Sequence, residues 1–181
     1  DLCKKNFLKI IDVKIIDSQG GSLRCFISKR KNRIKESMNI RNILNKEIKA
    51  NLFKMNTWYK FANKINNHKK KLNSFIKKLK KNKYTISAYG ASGKGQALLQ
   101  FCKIGKSYID YVYDKSKMKQ GKFTAGTHIK IIDPKFLNSS NTDYLLLLSW
   151  NILKEIKKQE KKFLEENGKL IIPFPNPKVI S

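Results

Sequence analysis

Gly90-Ala91-Ser92-Gly93-Lys94-Gly95 puts three glycines, a hydroxyl and an ammonium into six residues, directly after an apolar run and directly before a helical one. Where a strand hands over to a helix, the first helical N–H groups have no internal partner and point outward with the positive end of the helix dipole. That arrangement suits phosphate. Glycine lets a ligand approach the backbone, Ser92 offers a hydroxyl, and Lys94 offers a charge. The spacing is GxxGxG, which is neither the GxGxxG of dinucleotide folds nor the GxxxxGK[ST] of nucleotide triphosphatases. A ligand-binding loop and a plain tight turn both remain open on this pattern. Asp114, at the end of the next apolar run, stands where an acidic residue often holds a ribose hydroxyl, or where a strand-end turn would place one.

The elements that must position this loop can be read from periodicity. Residues 84–89 predict a strand, 93–104 a helix closed by Gly105, and 108–113 a second strand. A polar loop follows, then a short strand over 128–132 and a brief helix after Asp133-Pro134. Residues 143–149 form an uninterrupted apolar strand of the buried kind. A helix over 152–167 stops at Asn167-Gly168, and 169–173 is the last strand, with Pro173, Pro175 and Pro177 ending regular structure. Strands alternating with helices predict an α/β fold: a Rossmann-like five-stranded, mainly parallel sheet with helices on both faces.

Upstream, the apolar stretches 10–16 and 22–27 flank Ser18-Gln19-Gly20-Gly21 and predict a hairpin. A lone hairpin is marginal in water, so a larger sheet beyond this chain is expected to receive it. Between 34 and 79 there is neither Pro nor Gly, and Ile48, Leu52, Met55, Tyr59, Ala62, Ile65, Leu72, Ile76 and Leu79 trace one helical face. One long helix or two collinear ones follow from this, with His68 and Lys69 to Lys71 on or near the wet side. Trp58 and Phe61 widen the stripe beyond a coiled-coil seam. The expected division is a hairpin remnant over 1–30, a helical linker over 31–82 and a Rossmann-like domain over 83–181, with no internal repeat.

Composition removes several function classes. The net charge of +27 points to nucleic acid by its size, yet only Arg24, Arg30, Arg33 and Arg41 are Arg and the other 36 basic residues are Lys. Base-edge readout prefers the planar fork of Arg, so solvated lysine faces are the expected reading and no specific nucleic acid is expected. Cys3, Cys25 and Cys102 are far apart and form no CxxC pair, so no zinc site is expected and a reducing cytoplasm is the default. The longest apolar run, 144–148, is far short of the roughly 18 residues of a membrane span. The first residue is Asp1 and not Met, from which a piece of a longer reading frame is expected.

Several separated motifs, in order, add a resemblance. Tyr89-Gly90-Ala91 with Lys94-Gly95, Ile109-Asp110-Tyr111 with Asp114, and the run from Lys119 to Ile129 (KQGKFTAGTHI) resemble the C-terminal domain of SAM-dependent sugar C-methyltransferases. Asp143-Tyr144 through Trp150-Asn151, and Ile171-Ile172-Pro173, are similar to that family's DYxLxLxWN strand and closing IP strand. The likeness runs over about 84–178, and Gly20-Gly21-Ser22-Leu23-Arg24 is similar to the strand that closes the family's SAM-binding domain.

The resemblance implies methyl transfer from S-adenosylmethionine to C3 of a nucleotide-linked 4-keto sugar, typically a dTDP-sugar. The cofactor would sit in an upstream domain of the same polypeptide and none within this chain. This part would bind and orient the substrate, contributing no catalytic residue and no metal ligand, and would be inactive alone. The implied substrate contacts are Ser92, Gly93, Lys94 and Gly95 at the pyrophosphate, with Asp114, Tyr89, Thr127, His128, Trp150 and Asn151 at strand ends or in the loop after Asp114. His128 either contacts sugar or phosphate or is a hydrogen-bonded structural residue; Trp150 either covers a base or fills the core. A dinucleotide-using oxidoreductase domain and a basic nucleic-acid module are the competing functions.

Overall fold

The structure is a computed structural model that describes residues 1–18 and 20–181. It divides into two compact units, Asp1–Asn63 and Lys64–Ser181. In the first, a short helix α1 (Leu2–Lys5) precedes an antiparallel pair, β1 (Leu8–Ile16) and β2 (Ser22–Lys29), running from Leu8↔Lys29 to Ile16↔Ser22. Gly20 and Gly21, at φ of 85° and 109°, make the predicted turn, while Gln19 lies outside the described residues. Helix α2 (Met38–Lys49) starts at Ser37, whose side chain caps the Asn39 N–H, and Asn39 Nδ2 donates to Asp12 Oδ1 at 3.0 Å. That hydrogen bond holds the Asp12 carboxyl below its ordinary pKa.

Of the two readings of 34–79, one long helix or two, the structure has two helices, α2 and α3 (Met55–Lys81), separated at Ala50–Lys54. Asn51 breaks the run by taking φ 53°, a left-handed conformation that Asn tolerates and that ends helices much as Gly does. Along α3 the apolar stripe becomes buried only late, at Leu72, Ile76 and Leu79. Ile48, Met55 and Tyr59, expected on the same packed face, are more than half exposed.

The second unit is built on six strands in the order β5-β4-β3-β6-β7-β8. These are β3 (Ile86–Tyr89), β4 (Val112–Tyr113), β5 (Ile131–Ile132), β6 (Tyr144–Leu147), β7 (Lys169–Ile172) and β8 (Lys178–Ile180). The first five are parallel, and β8 pairs antiparallel to β7 at Ile171↔Val179. The five-strand expectation therefore falls one short. The three prolines interrupt the chain only as far as Pro177, and β8 begins beyond the last of them with every N–H available to an edge pairing.

Strand alternation sorts the core into two layers. Ala88, Val112, Leu146 and Ile171 face α3 and helix α4 (Gly93–Cys102), against Leu72, Ile76, Leu98 and Leu99. Tyr89, Tyr113, Leu145, Leu147 and Leu170 face the opposite way, against Leu137, Ile156 and Phe163. Helix α4 closes at Lys103, at φ 56°, two residues before the predicted stop at Gly105. The predicted helix over 152–167 is a 3-10 turn (Trp150–Ile152) followed by α5 (Leu153–Gln159) and α6 (Lys161–Glu165). The break falls at Glu160, whose backbone leaves the helical region and whose buried carboxylate accepts the Tyr89 hydroxyl at 2.5 Å. Burial first, and then this bond, push the Tyr89 hydroxyl far above its ordinary pKa.

His68, expected on the wet side, is half-buried. Its ring stacks on Phe174 at 4.1 Å and 10°, and neither ring nitrogen has a hydrogen bond of normal geometry. Burial lowers its pKa from 6.5, with Lys71 acting the same way and the Pro175 backbone opposing. The unfolded chain thus binds a proton at a pH where the folded chain still refuses it, so stability is lost as pH falls below 6.5 toward the lowered value. Thermal melts from pH 7.5 down to 5.5 should show a falling Tm, with a smaller fall in His68→Gln; equal slopes would remove His68 as the cause.

Candidate functional site

Strand order reverses between β3 and β6: from β3 the chain builds outward to β4 and β5, then returns to place β6 on the other side. Open α/β sheets bind ligands outside the carboxyl ends of the strands at such a switch point. The two segments that meet there are Gly90–Gly95 after β3 and Ser149–Asn151 after β6.

Their approach explains two of the glycines. A Cβ on Gly90, which sits at φ 85°, would lie 2.4 Å from Ser149 Oγ, and one on Gly95 would lie 2.3 Å from Leu148 Cβ. Gly95, expected at the pyrophosphate, is buried and serves the packing of α4 on the end of β6. Gly93 differs, being exposed with open space where a Cβ would stand. Ser92 caps α4: its Oγ accepts the Gly95 N–H at 3.1 Å and donates to the Leu148 carbonyl at 2.9 Å. Its hydroxyl proton is thereby committed to the fold. Lys94 is exposed beside Gly93 in the first turn of the helix.

Asp114 holds the loop from the other side. Its Oδ2 accepts the Ala91 N–H at 2.7 Å and Lys119 Nζ at 3.1 Å, and its Oδ1 accepts the Ser116 N–H at 2.8 Å. Lys119 Nζ also donates to the Ala91 carbonyl at 3.0 Å. Asp114 is buried, 8 % exposed as a residue, and three donors, one of them charged, offset the cost of burying its carboxylate. Only Oδ1 keeps a lone pair for a ligand hydroxyl.

Beyond β6, the rings of Trp150 and Phe174 lie 4.9 Å apart, and the half-buried Trp150 touches both layers of the core. Asn151 next to it is exposed. With the loop, these form the rim of the switch point.

Three expected contacts lie elsewhere. Tyr89 ends β3 but turns its side chain into the opposite core layer, where Glu160 holds it. Thr127 and His128, expected as substrate contacts at strand ends or in the loop after Asp114, do lie in that loop but not at the carboxyl edge where the Gly-rich loop stands. They sit instead at the amino edge of the sheet, because a parallel partner of β4 must begin there and the loop has to travel back before β5 can start. The Thr127 carbonyl lies 3.8 Å from where a Cβ on Gly105 would stand, just past the end of α4. Thr127 Oγ1 pairs with Thr124 Oγ1 at 2.7 Å, and His128 is exposed at φ 51°.

Sequence reasoning missed Lys119, Gln96, Ser149 and Phe174 as supporting residues. Lys119 stands in the KQG motif five residues after Asp114, a spacing a turn would close. Gln96, one turn into α4, donates to the Ala91 carbonyl at 3.4 Å and accepts from the Ala125 N–H at 2.9 Å. Nothing in the sequence marks Phe174 apart from its neighbouring prolines.

The second unit is thus a mixed α/β domain with a mostly parallel sheet, flanking helices and a Gly-rich loop at the carboxyl edge. The chain belongs to the C-methyltransferase C-terminal domain family, whose model matches residues 17–175. It is 32% identical over 180 residues to the C-methyltransferase NovU of Streptomyces niveus, covering 99% of this chain and 43% of that protein. Among solved structures it is similar to UDP-D-quinovosamine 4-dehydrogenase from Vibrio fischeri, at TM-score 0.42 and 20% identity, over 54% of this chain and 93% of that one. No helix among the described residues is long and apolar enough to cross a membrane. Nor, among them, does any group of three or more His, Cys, Asp or Glu assemble to hold a metal ion.

Two substitutions separate scaffold from contact. Gly95→Ala should destabilise the domain by about 2 kcal/mol or more, since its methyl meets the Leu148 side chain and carbonyl. Asp114→Ala should cost about 2–4 kcal/mol by stranding two N–H donors and the Lys119 ammonium. Denaturant midpoints measure both. A near-neutral Asp114→Ala would mean that the loop holds its shape without the clamp.

Proposed function

We propose that this chain is the substrate-binding part of a SAM-dependent C-methyltransferase acting on a nucleotide-linked 4-keto sugar, typically a dTDP-sugar. The reading rests on family membership over residues 17–175, together with the Gly-rich loop at the switch point of the sheet. Because the chain spans 43% of the length of the curated relative, the other half of the enzyme would be supplied by an upstream domain. That domain would hold S-adenosylmethionine, whose sulfonium provides the electrophilic methyl group, and would supply the base that removes a proton from the carbon beside the ketone.

The tasks left to this chain are binding and orientation. Gly93 and the first turn of α4 present backbone toward the diphosphate, with Lys94 adding charge. Trp150 and Asn151 form the rim against which the base or sugar rests. Asp114 and Lys119 fix the loop so that little ordering is left to do when the ligand arrives. Ser92 and Gly95 enter this scheme as parts of the support, and Tyr89, Thr127 and His128 lie away from the ligand.

The dinucleotide-binding alternative draws on the general sheet order, but the loop lacks the GxGxxG spacing. The nucleic-acid alternative draws on the charge of +27. Calorimetry separates the three. The binding that Gly93→Glu abolishes should be weak for dTDP and absent for NAD(H), and duplex DNA should bind only weakly, with a steep loss as salt rises. Tight NAD(H) binding without dTDP binding would overturn the proposal. In the full-length enzyme, Lys94→Ala should raise the KM for the nucleotide sugar about tenfold, as expected for loss of a charged contact, with unchanged folding. Gly93→Glu, which puts a carboxylate into the open space, should raise it more.

A further inference from the structure

From residue 48 to residue 109 the chain contains 15 lysines and no Asp or Glu. Nine of those lysines belong to α3, which therefore carries no acidic residue of its own. Of the nine, only Lys80 has a carboxylate within 4 Å among the described residues, that of Asp110 at 3.8 Å. Like charges at Lys77 and Lys81, one turn apart, oppose the helix.

This charge is gathered into a groove. A cavity of about 700 Å³ is lined by Lys70, Lys71, Ser74, Phe75, Lys78 and the turn at Asn176-Pro177. The α3 residues share one face of the helix, so Lys70 and Lys71 stand at one end, Lys78 at the other, and Ser74 and Phe75 between them. Lys71 Nζ donates to Asn176 Oδ1 at 3.2 Å, which ties the wall opposite to the helix. Phe75 is partly buried against the core, which holds its ring in place and leaves part of it facing outward. Low-dielectric walls bearing one sign of charge focus the field and concentrate anions of matching size.

We propose that this groove is a second nucleotide site, separate from the Gly-rich loop, which takes a nucleoside diphosphate with its phosphates on Lys70, Lys71 and Lys78 and its base against Phe75 and Pro177. Lysine acts on phosphate as a point charge, and an aromatic face accepts any base. The site is therefore selective for a base joined to phosphate and indifferent to which base. It does not rest on the methyl-transfer reading.

ADP is the probe, titrated calorimetrically into the 181-residue chain at moderate salt. ADP binds, and Lys70→Glu/Lys78→Glu, at exposed positions, weakens it at least tenfold while circular dichroism is unchanged. Phe75→Ala weakens ADP about fivefold or more and leaves inorganic pyrophosphate unaffected, since one stacked base contributes on the order of 1 kcal/mol or more. Gly93→Glu, which tests the loop, removes at most a weak component and leaves intact the component of ADP binding that Lys70→Glu/Lys78→Glu removes. Undiminished ADP binding in the double charge reversal overturns the groove without touching the proposed function. So does pyrophosphate binding as tightly as ADP with a DNA duplex displacing both, which would make the surface a general polyanion patch.

Discussion

The corner at the end of β3 depends on one buried carboxylate. Asp114 receives the Ala91 amide from the Gly-rich loop, the Ser116 amide from its own turn and the Lys119 ammonium from further along the chain. A buried charge must be surrounded by donors or lose its ionisation. Here the donors come from the two loops that leave neighbouring strands, so meeting that requirement draws the loops together. Lys119 closes the circuit by donating to the Ala91 carbonyl as well.

Given that clamp, the glycines divide by task. Gly90 supplies a positive φ and the clearance that Ser149 needs, while Gly95 lets α4 lie against Leu148. Gly93 alone among the three faces open space. A loop of this kind keeps its shape through side-chain caps and close packing, and exposes one short stretch of backbone. Rigid support of an exposed stretch suits a role in binding and orientation, the part assigned here to a chain whose proposed cofactor and base lie outside it.

The lysines raise a separate question of balance. Forty basic residues against 13 acidic ones would ordinarily be spread over solvated faces, and many of these are. On α3, however, the acid-free stretch coincides with a groove that has an aromatic floor and a wall tied to the helix by Lys71 and Asn176. Coincidence of charge with concavity, more than charge itself, singles out this face.

The sequence by itself determined whatever depends on local pattern. The hairpin, the strand-loop-helix unit at 84–104, the apolar strand before Trp150 and the family likeness all follow from runs, spacings and ordered motifs. Local pattern also missed where local signals were weak or ambiguous: Asn51 ended a helix without Gly or Pro, Glu160 broke another to reach Tyr89, and a short strand formed after three prolines. Tertiary structure alone decided which strand-end residues meet. Parallel pairing sends Thr127 and His128 to the far edge of the sheet, strand alternation turns Tyr89 into the other layer, and the order of β3 and β6 brings Gly90 against Ser149 and Gly95 against Leu148. Proximity across a sheet is set by which strands pair and in which direction, and such pairings join residues dozens of positions apart that no short motif can record.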